Sequence, residues 1–215
     1  MTEFYDCTRP ERRAQAIGAA VEAVHRGELV VLPTDTVYGI GADAFSPTAV
    51  GELLATKGRG PDMPVPVLVG SWQAVEGLVL YLPPVGRELI ETFWPGGLTL
   101  ILRHAPSLAW DLGESRGTVA VRMPLHRVAL DLLERVGPLA VSSANLTGRP
   151  PATTAEQARD QLGDAVAVYL DGGPSGDPIP SSIVDLTGPT ARLVRAGAVG
   201  EDRLREALPD LVVGP

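Results

Sequence analysis

The chain has 215 residues, 45% of them hydrophobic, with 24 glycines, 20 prolines and a net charge of −8. That length fits one domain able to bury roughly 70% of its unfolded surface. No apolar run reaches the ~20 residues of a membrane span, the single cysteine, Cys7, excludes an internal disulfide, and an acidic balance argues against a broad grip on nucleic-acid backbone.

Taken in order, residues 10 to 26 read as a helix. Thr8 is placed to cap it, Pro10 suits its first turn, and Ile17, Ala20, Val21 and Val24 share one face before Gly27. The run "ELVVLP" (28–33) reads as a buried strand. It is followed by Thr34, Asp35 and Thr36, then by Gly39 and Gly41. Those glycines are expected to permit positive φ and close backbone approach, not to bind phosphate, because Ala44 breaks a GxGxxG pattern. Ser46-Pro47 opens a helix over 47–55 bearing Val50, Leu53 and Leu54.

Next comes "TKGRG", with Lys57 and Arg59 two residues apart. In an extended loop such residues point the same way, and two cations bracketed by glycines suit a polyphosphate. The basic set holds 17 arginines and one lysine, Lys57; lysine is a compact charge where arginine is a planar fork.

Strands are expected at 65–70, 98–103, 118–122, 139–145, 165–173, 182–186 and 192–197, and helices at 71–77, 84–93, 125–135 and 200–208. This irregular alternation, strand-rich toward the end, predicts an α/β domain with a mixed sheet. Trp94 reads as core and turn, and Asp171-Gly172-Gly173 as a turn.

Polar groups gather at strand ends, where α/β proteins place ligands. They are Thr34-Asp35-Thr36, Arg122, Ser142-Ser143-Ala144-Asn145 and Ser181-Ser182. Each segment alone is equally a turn or a cap. The three histidines lack metal-ligand spacing, and neither a Ser/His/Asp set nor a P-loop is present.

The segments "PTDTVYGIG", "KGR", "FWPGGLTLIL", "VAVRMP", "SSANLTGRP", "DGG", "SSIVD" and "RLVRAG" occur in that order. Together they resemble the threonylcarbamoyl-AMP synthase family with its YrdC-like fold, over about residues 10 to 208. The resemblance implies a twisted mixed sheet with flanking helices and a concave substrate site. It further implies one YrdC-like domain over 1–215, of the short type without a second C-terminal domain.

The implied activity is ATP-dependent condensation of L-threonine with bicarbonate or CO2, giving threonylcarbamoyl-AMP and pyrophosphate for t6A modification of tRNA. Mg2+ would accompany ATP, and a separate transferase complex would take the product onward. By the same match Lys57 and Arg59 would be catalytic. Thr34, Arg122, Ser143 and Ser182 would hold threonine. Asn145, Thr153 and Arg195, with Lys57 and Arg59, would hold the nucleotide. Some members carry a histidine after the KxR pair, in "PLIVH", where this chain has Gly70.

The expectations that follow are a cytoplasmic enzyme, no membrane association, weak or absent direct tRNA binding, and a Lys57→Ala variant that folds but does not turn over. The runner-up reading is a non-catalytic RNA-binding relative of the same fold.

Overall fold

The apolar run Val30–Leu32 (β2) lies fully buried inside an 11-stranded mixed sheet. The computed structural model describes residues 2–60, 62–176 and 179–214. The single-domain expectation also covers positions 1, 61, 177, 178 and 215, which lie outside the described residues.

The remaining strands are Glu3–Asp6 (β1), Gly39–Asp43 (β3), Val67–Leu68 (β4), Leu98–Arg103 (β5), Thr118–Arg122 (β6), Leu139–Ser143 (β7), Val168–Asp171 (β8), Ser182–Asp185 (β9), Arg192–Arg195 (β10) and Val212–Val213 (β11). Their spatial order is β1-β8-β2-β3-β7-β4-β6-β5-β9-β10-β11. Parallel pairs such as β2/β8 and β5/β9 alternate with antiparallel ones such as β2/β3 and β3/β7. The mixed sheet expected from the sequence is therefore present.

Helices cover both faces. Pro10–His25 (α1) and Arg127–Val136 (α5) pack together through Ile17, Val21, Val24, Val128, Leu132 and Leu133. Each such leucine contributes about 1.5–3 kcal/mol by leaving water. Pro47–Lys57 (α2), Ala74–Leu78 (α3), Pro84–Phe93 (α4), Ala155–Leu162 (α6) and Glu201–Ala207 (α7) contribute buried residues to the other cluster. Trp94 packs against that core and donates from its indole to the Leu98 carbonyl at 2.7 Å.

Three expectations are corrected. Thr8 does not cap α1; its hydroxyl and amide donate to Asp6, and Arg9 is the cap residue. Helix α2 runs two residues past 55, so Lys57 sits in its last turn and Gly58, at φ +62°, ends it. Lys57 and Arg59 therefore do not lie in an extended loop. Third, Gly39 and Gly41 form a strand and neither has positive φ.

Close approach is the part of the glycine reading that holds. Strand β3 lies antiparallel to β7, with Gly39 opposite Ser143. A Cβ on Gly39 would meet Val141 Cγ1 at 2.6 Å. Gly39→Ala should overpack this contact and cost about 1–3 kcal/mol. Thermal melting checks this, and pairing the change with Val141→Ala should recover most of the loss.

Candidate functional site

Strands ending near the middle of the sheet surround a cavity of about 440 Å³. That size falls in the range of small-ligand sites, about 300–1,000 Å³. It opens where β2, β6, β7 and β10 end and where β5 and β9 begin. Among the described residues no carboxylate lines it, whereas Arg59, Arg122 and Arg195 all do. An acidic chain has thus concentrated three guanidiniums in one depression.

Arg122, the last residue of β6, is 6% exposed. Its Nε donates to the Gly96 carbonyl at 2.9 Å, Nη1 to Thr36 Oγ1 at 2.9 Å, and Nη2 to Asp35 Oδ1 at 2.6 Å. Asp35 Oδ1 also accepts the Leu125 amide at 2.8 Å. Asp35 is therefore the carboxylate that holds Arg122. Of the five N–H donors on a guanidinium, three are used and two remain for a ligand. Burial lowers the Arg122 pKa, and the facing Asp35 opposes that shift; arginine keeps its charge under such conditions.

Thr34 lines the cavity beside this pair. Its hydroxyl donates to the Val37 carbonyl at 2.6 Å and accepts the Thr36 amide at 3.2 Å. The turn after β2 is thus self-bonded, a local arrangement hydroxyl residues favour, and it presents Thr36 to Arg122.

On the opposite wall Arg59 Nη1 donates to Ser142 Oγ at 3.1 Å. Arg195, ending β10, reaches the Ser181 carbonyl through Nε at 3.0 Å and Nη2 at 2.8 Å. Ser181 Oγ lies 2.8 Å from Thr99 Oγ1 on β5. Burial lowers the Arg195 pKa, and the charges of Arg122 and Arg59 lower it further. Like charges feel one another across the cavity, an arrangement that an anion would relieve.

Lys57 is 3% exposed and does not line the cavity. Its Nζ donates to the carbonyls of Ser143 and Asn145 (2.6 Å to the latter), with Asn145 Oδ1 at 3.4 Å. Burial and then Arg59 lower its pKa to about 8. In this geometry the one lysine is a clamp on the chain leaving β7. Three rotatable N–H donors fit such a cage of oxygens, and a planar fork does not.

Five of the residues singled out from sequence meet at the cavity: Thr34, Arg59, Arg122, Ser143 and Arg195. Four stand apart from its lining: Lys57, Asn145, Thr153 and Ser182. Asn145 is 7% exposed, and its Nδ2 donates to Leu146 and Arg149 carbonyls. Thr153 donates through both amide and hydroxyl to Gln157 Oε1, at the start of α6. Ser182 is fully buried, its hydroxyl donating to the Val199 carbonyl at 2.6 Å and accepting the Val199 amide. Its neighbour Ser181 is the serine of the pair that lines the cavity. Successive residues of a strand face opposite ways, so a Ser-Ser pair can offer only one hydroxyl to the site.

Thr36, Thr99, Ser142 and Ser181 are lining residues given no individual role from sequence. Thr36, Ser142 and Ser181 lie in the polar strand-end segments picked out from sequence. Thr99 is the exception, and the signal for it is a lone hydroxyl in the apolar strand "LTLIL". At Gly70, where some family members have histidine, a Cβ would lie 2.9 Å from the Glu134 amide nitrogen of α5. Helix packing takes that space in this chain.

The chain is similar to known proteins in sequence and in fold. The family model Sua5/YciO/YrdC, described as "Telomere recombination", matches residues 22–197. A Mycobacterium tuberculosis protein provisionally named a threonylcarbamoyl-AMP synthase is 61% identical over 208 residues, covering 97% of this chain and 96% of its own. A Bacillus subtilis threonylcarbamoyl-AMP synthase is 36% identical over 201 residues, covering 93% of this chain and 57% of its own. Among solved structures, Pyrococcus abyssi Sua5 complexed with L-threonine superposes with TM-score 0.95 at 32% identity, over 100% of this chain and 63% of its own. Escherichia coli YciO superposes with TM-score 0.83 at 26% identity, over 92% of this chain and 97% of its own.

Proposed function

The chain belongs to the Sua5/YciO/YrdC family, and from that premise we propose that it is an L-threonylcarbamoyladenylate synthase. The substrates are L-threonine, bicarbonate or CO2, and ATP; the products are threonylcarbamoyl-AMP and pyrophosphate. The observation that carries this reading is the convergence of Arg59, Arg122 and Arg195 on one cavity at the strand ends that no carboxylate lines among the described residues.

Threonine brings a carboxylate, an amine and a hydroxyl. The two unused N–H groups of Arg122 suit the carboxylate as a bidentate pair. Small hydroxyls beside it, Thr34 and Thr36, suit the substrate's other polar groups. Pro66, Leu68 and Val141 form an apolar wall for its methyl group. Threonine's amine nitrogen attacks carbon dioxide and loses a proton, giving the carbamate. A carbamate oxygen then attacks the α-phosphorus of ATP, and the bond to the bridging oxygen breaks to release pyrophosphate. Negative charge gathers on the phosphoryl oxygens and the leaving group, which Arg59 and Arg195 can stabilise. No covalent nucleophile is required, and the residues single out no general base.

The residues present do not fit a protein-held Mg2+. Among the described residues no three of His, Cys, Asp and Glu come together, and the carboxylate of Asp35 is bound to Arg122. Mg2+ would therefore come with the ATP phosphates, which offer it hard oxygen ligands. No helix among the described residues is long and apolar enough to cross a membrane. We propose a cytoplasmic enzyme whose product goes to a separate transferase complex; weak tRNA binding by the chain itself fits its net charge of −8.

The direct test is pyrophosphate release from ATP by the purified chain. Turnover should require both threonine and bicarbonate, and omission of either should reduce it at least tenfold. Release that neither substrate stimulates would overturn the reading.

A further inference from the structure

We infer that the Thr99–Ser181 hydroxyl pair is a catalytic donor to the carboxyl group that is added to threonine; this rests on the synthase reading above. Both residues line the cavity, and both are buried, at 2% and 6% exposure. Their hydroxyl oxygens lie 2.8 Å apart. Ser181 Oγ also accepts from Arg195 Nη2 at 3.1 Å. A hydroxyl has one proton to give. Two hydroxyls joined by one bond therefore keep one O–H to spare, whichever of them donates to the other. Among the described residues no further acceptor bonds either oxygen's proton. A buried donor left in that state is costly, and a ligand oxygen in the cavity would satisfy it.

The place of the pair in the sheet says which oxygen that is. Neighbouring strands run β6, β5, β9, β10. Arg122 ends β6, Thr99 lies in β5, Ser181 immediately precedes β9, and Arg195 ends β10. Leu100 pairs with Val121, and that antiparallel register sets Thr99 beside Arg122. The pair thus links the guanidinium assigned to the amino-acid carboxylate with one assigned to phosphate. In threonylcarbamoyl-AMP the carboxyl carbon and its oxygens join the threonine nitrogen to the α-phosphorus, so they span the same gap. The amino-acid carboxylate has the Arg122 fork, and the phosphates have Arg59 and Arg195. The added carboxyl group is the acceptor left for the spare hydroxyl.

The donors then run in one direction. Arg195 Nη2 donates to Ser181, Ser181 to Thr99, and Thr99 to the ligand. Such a chain polarises its members and strengthens the last bond. As the amine lone pair forms the bond to carbon dioxide, a C–O π pair moves onto the oxygen facing Thr99, and the nitrogen releases a proton to solvent. Thr99 holds that oxygen as it gains charge, an oxyanion-type contact. The same oxygen becomes the carbonyl when the other carboxyl oxygen attacks the α-phosphorus and pyrophosphate leaves.

The experiment measures pyrophosphate release with bicarbonate varied at saturating threonine and ATP, beside calorimetric threonine binding. Thr99→Val keeps the outline of the side chain and removes its hydroxyl. Its kcat/KM for bicarbonate should fall about 100-fold, the scale of one lost oxyanion donor, with the threonine Kd within threefold of wild type. Thr99→Ser keeps the hydroxyl and should stay within about threefold of wild type in both. Ser181→Ala cuts the link to Arg195 but leaves Thr99 its proton; it should lower kcat/KM for bicarbonate about 10-fold, and it serves where Thr99→Val does not fold. A bicarbonate kcat/KM within threefold of wild type in Thr99→Val would overturn the inference. So would a threonine Kd weakened tenfold, which would put the donor on the amino acid, or a Thr99→Ser variant as impaired as Thr99→Val, which would make the residue a packing element. A wild type without bicarbonate-dependent release would refute the synthase reading and this inference together. Normal wild-type turnover beside an unaffected Thr99→Val would refute the inference alone.

Discussion

Replacing Arg122 by lysine is expected to raise the threonine KM about 100-fold. The guanidinium at this position is already bonded to Gly96, Thr36 and Asp35. Those three contacts fix its plane, so its remaining two N–H groups point as a fork. A lysine ammonium has three donors and no plane. To stay with Asp35 it must give up the Gly96 or Thr36 contact, and it can offer a substrate carboxylate one bond at most. A hydrogen bond to a charged group is worth about 1.5–3 kcal/mol, and tenfold in affinity is about 1.4 kcal/mol. Losing one arm of the fork and some of its aim gives the stated factor. The measurement is initial-rate kinetics with threonine varied at saturating ATP, beside calorimetric threonine binding. A change below threefold in both would mean that Arg122 does not hold the amino acid. The KM for ATP should change far less, because Arg59 and Arg195 retain their own anchors on Ser142 and Ser181.

How far the site could be read from sequence follows from which contacts are local. Continuous apolar runs marked β2, β5, β6 and β7, and the polar residues ending them marked the cavity rim. Thr34, Arg122 and Ser143 stand at those ends, and the family resemblance was needed to tell them from turn and cap residues. Strand β3 was not legible, because glycine is a poor strand former. Gly39 lies in a strand because Val141 of β7 crosses over it, a contact about 100 residues away in the chain. Strand β1, "EFYD", was not among the expected strands and owes its form to parallel pairing with β8. Helix α6 carried a usable signal, Thr154 followed three residues later by Gln157, the pattern of a capping box. Thr154 does cap it, accepting the Gln157 amide. Ser181 and Ser182 show the limit of pattern reading. Only the register of β9 beside β5, with Leu98 opposite Ser182, decides which serine turns inward. Arg59 and Lys57 show the same limit from another side, since the left-handed Gly58 between them sends the two cations to different places.

Lys57→Ala is expected to abolish most turnover, at least 100-fold, and also to destabilise the fold, which corrects the expectation of an intact fold. The reason lies in what Lys57 touches. Its ammonium satisfies the Asn145 carbonyl and shares the Ser143 carbonyl with the Asn145 amide. Buried oxygens left without a donor cost about 1–3 kcal/mol each, so a loss of about 2–3 kcal/mol is expected. For a chain of this size that is a fall of about 4–12 °C in Tm. Activity falls because Ser142 and Ser143, which line the cavity, sit on the segment that the clamp holds. Lys57→Arg should not restore it, since a planar fork cannot fill the same cage. The pH dependence separates the two roles of the charge. The folded pKa of about 8 lies below the ordinary 10.5, so the folded state releases this proton first. Between about pH 8 and 10.5 the unfolded chain binds more protons, and the Lys57 contribution to stability rises with pH. Over the same window the clamp loses one of its three donors, so kcat/KM should fall. Opposite slopes of Tm and kcat/KM above pH 8, both absent in Lys57→Met, are the expected signature. Parallel slopes, or an alkaline fall in kcat/KM that persists in Lys57→Met, would assign the titration to another group.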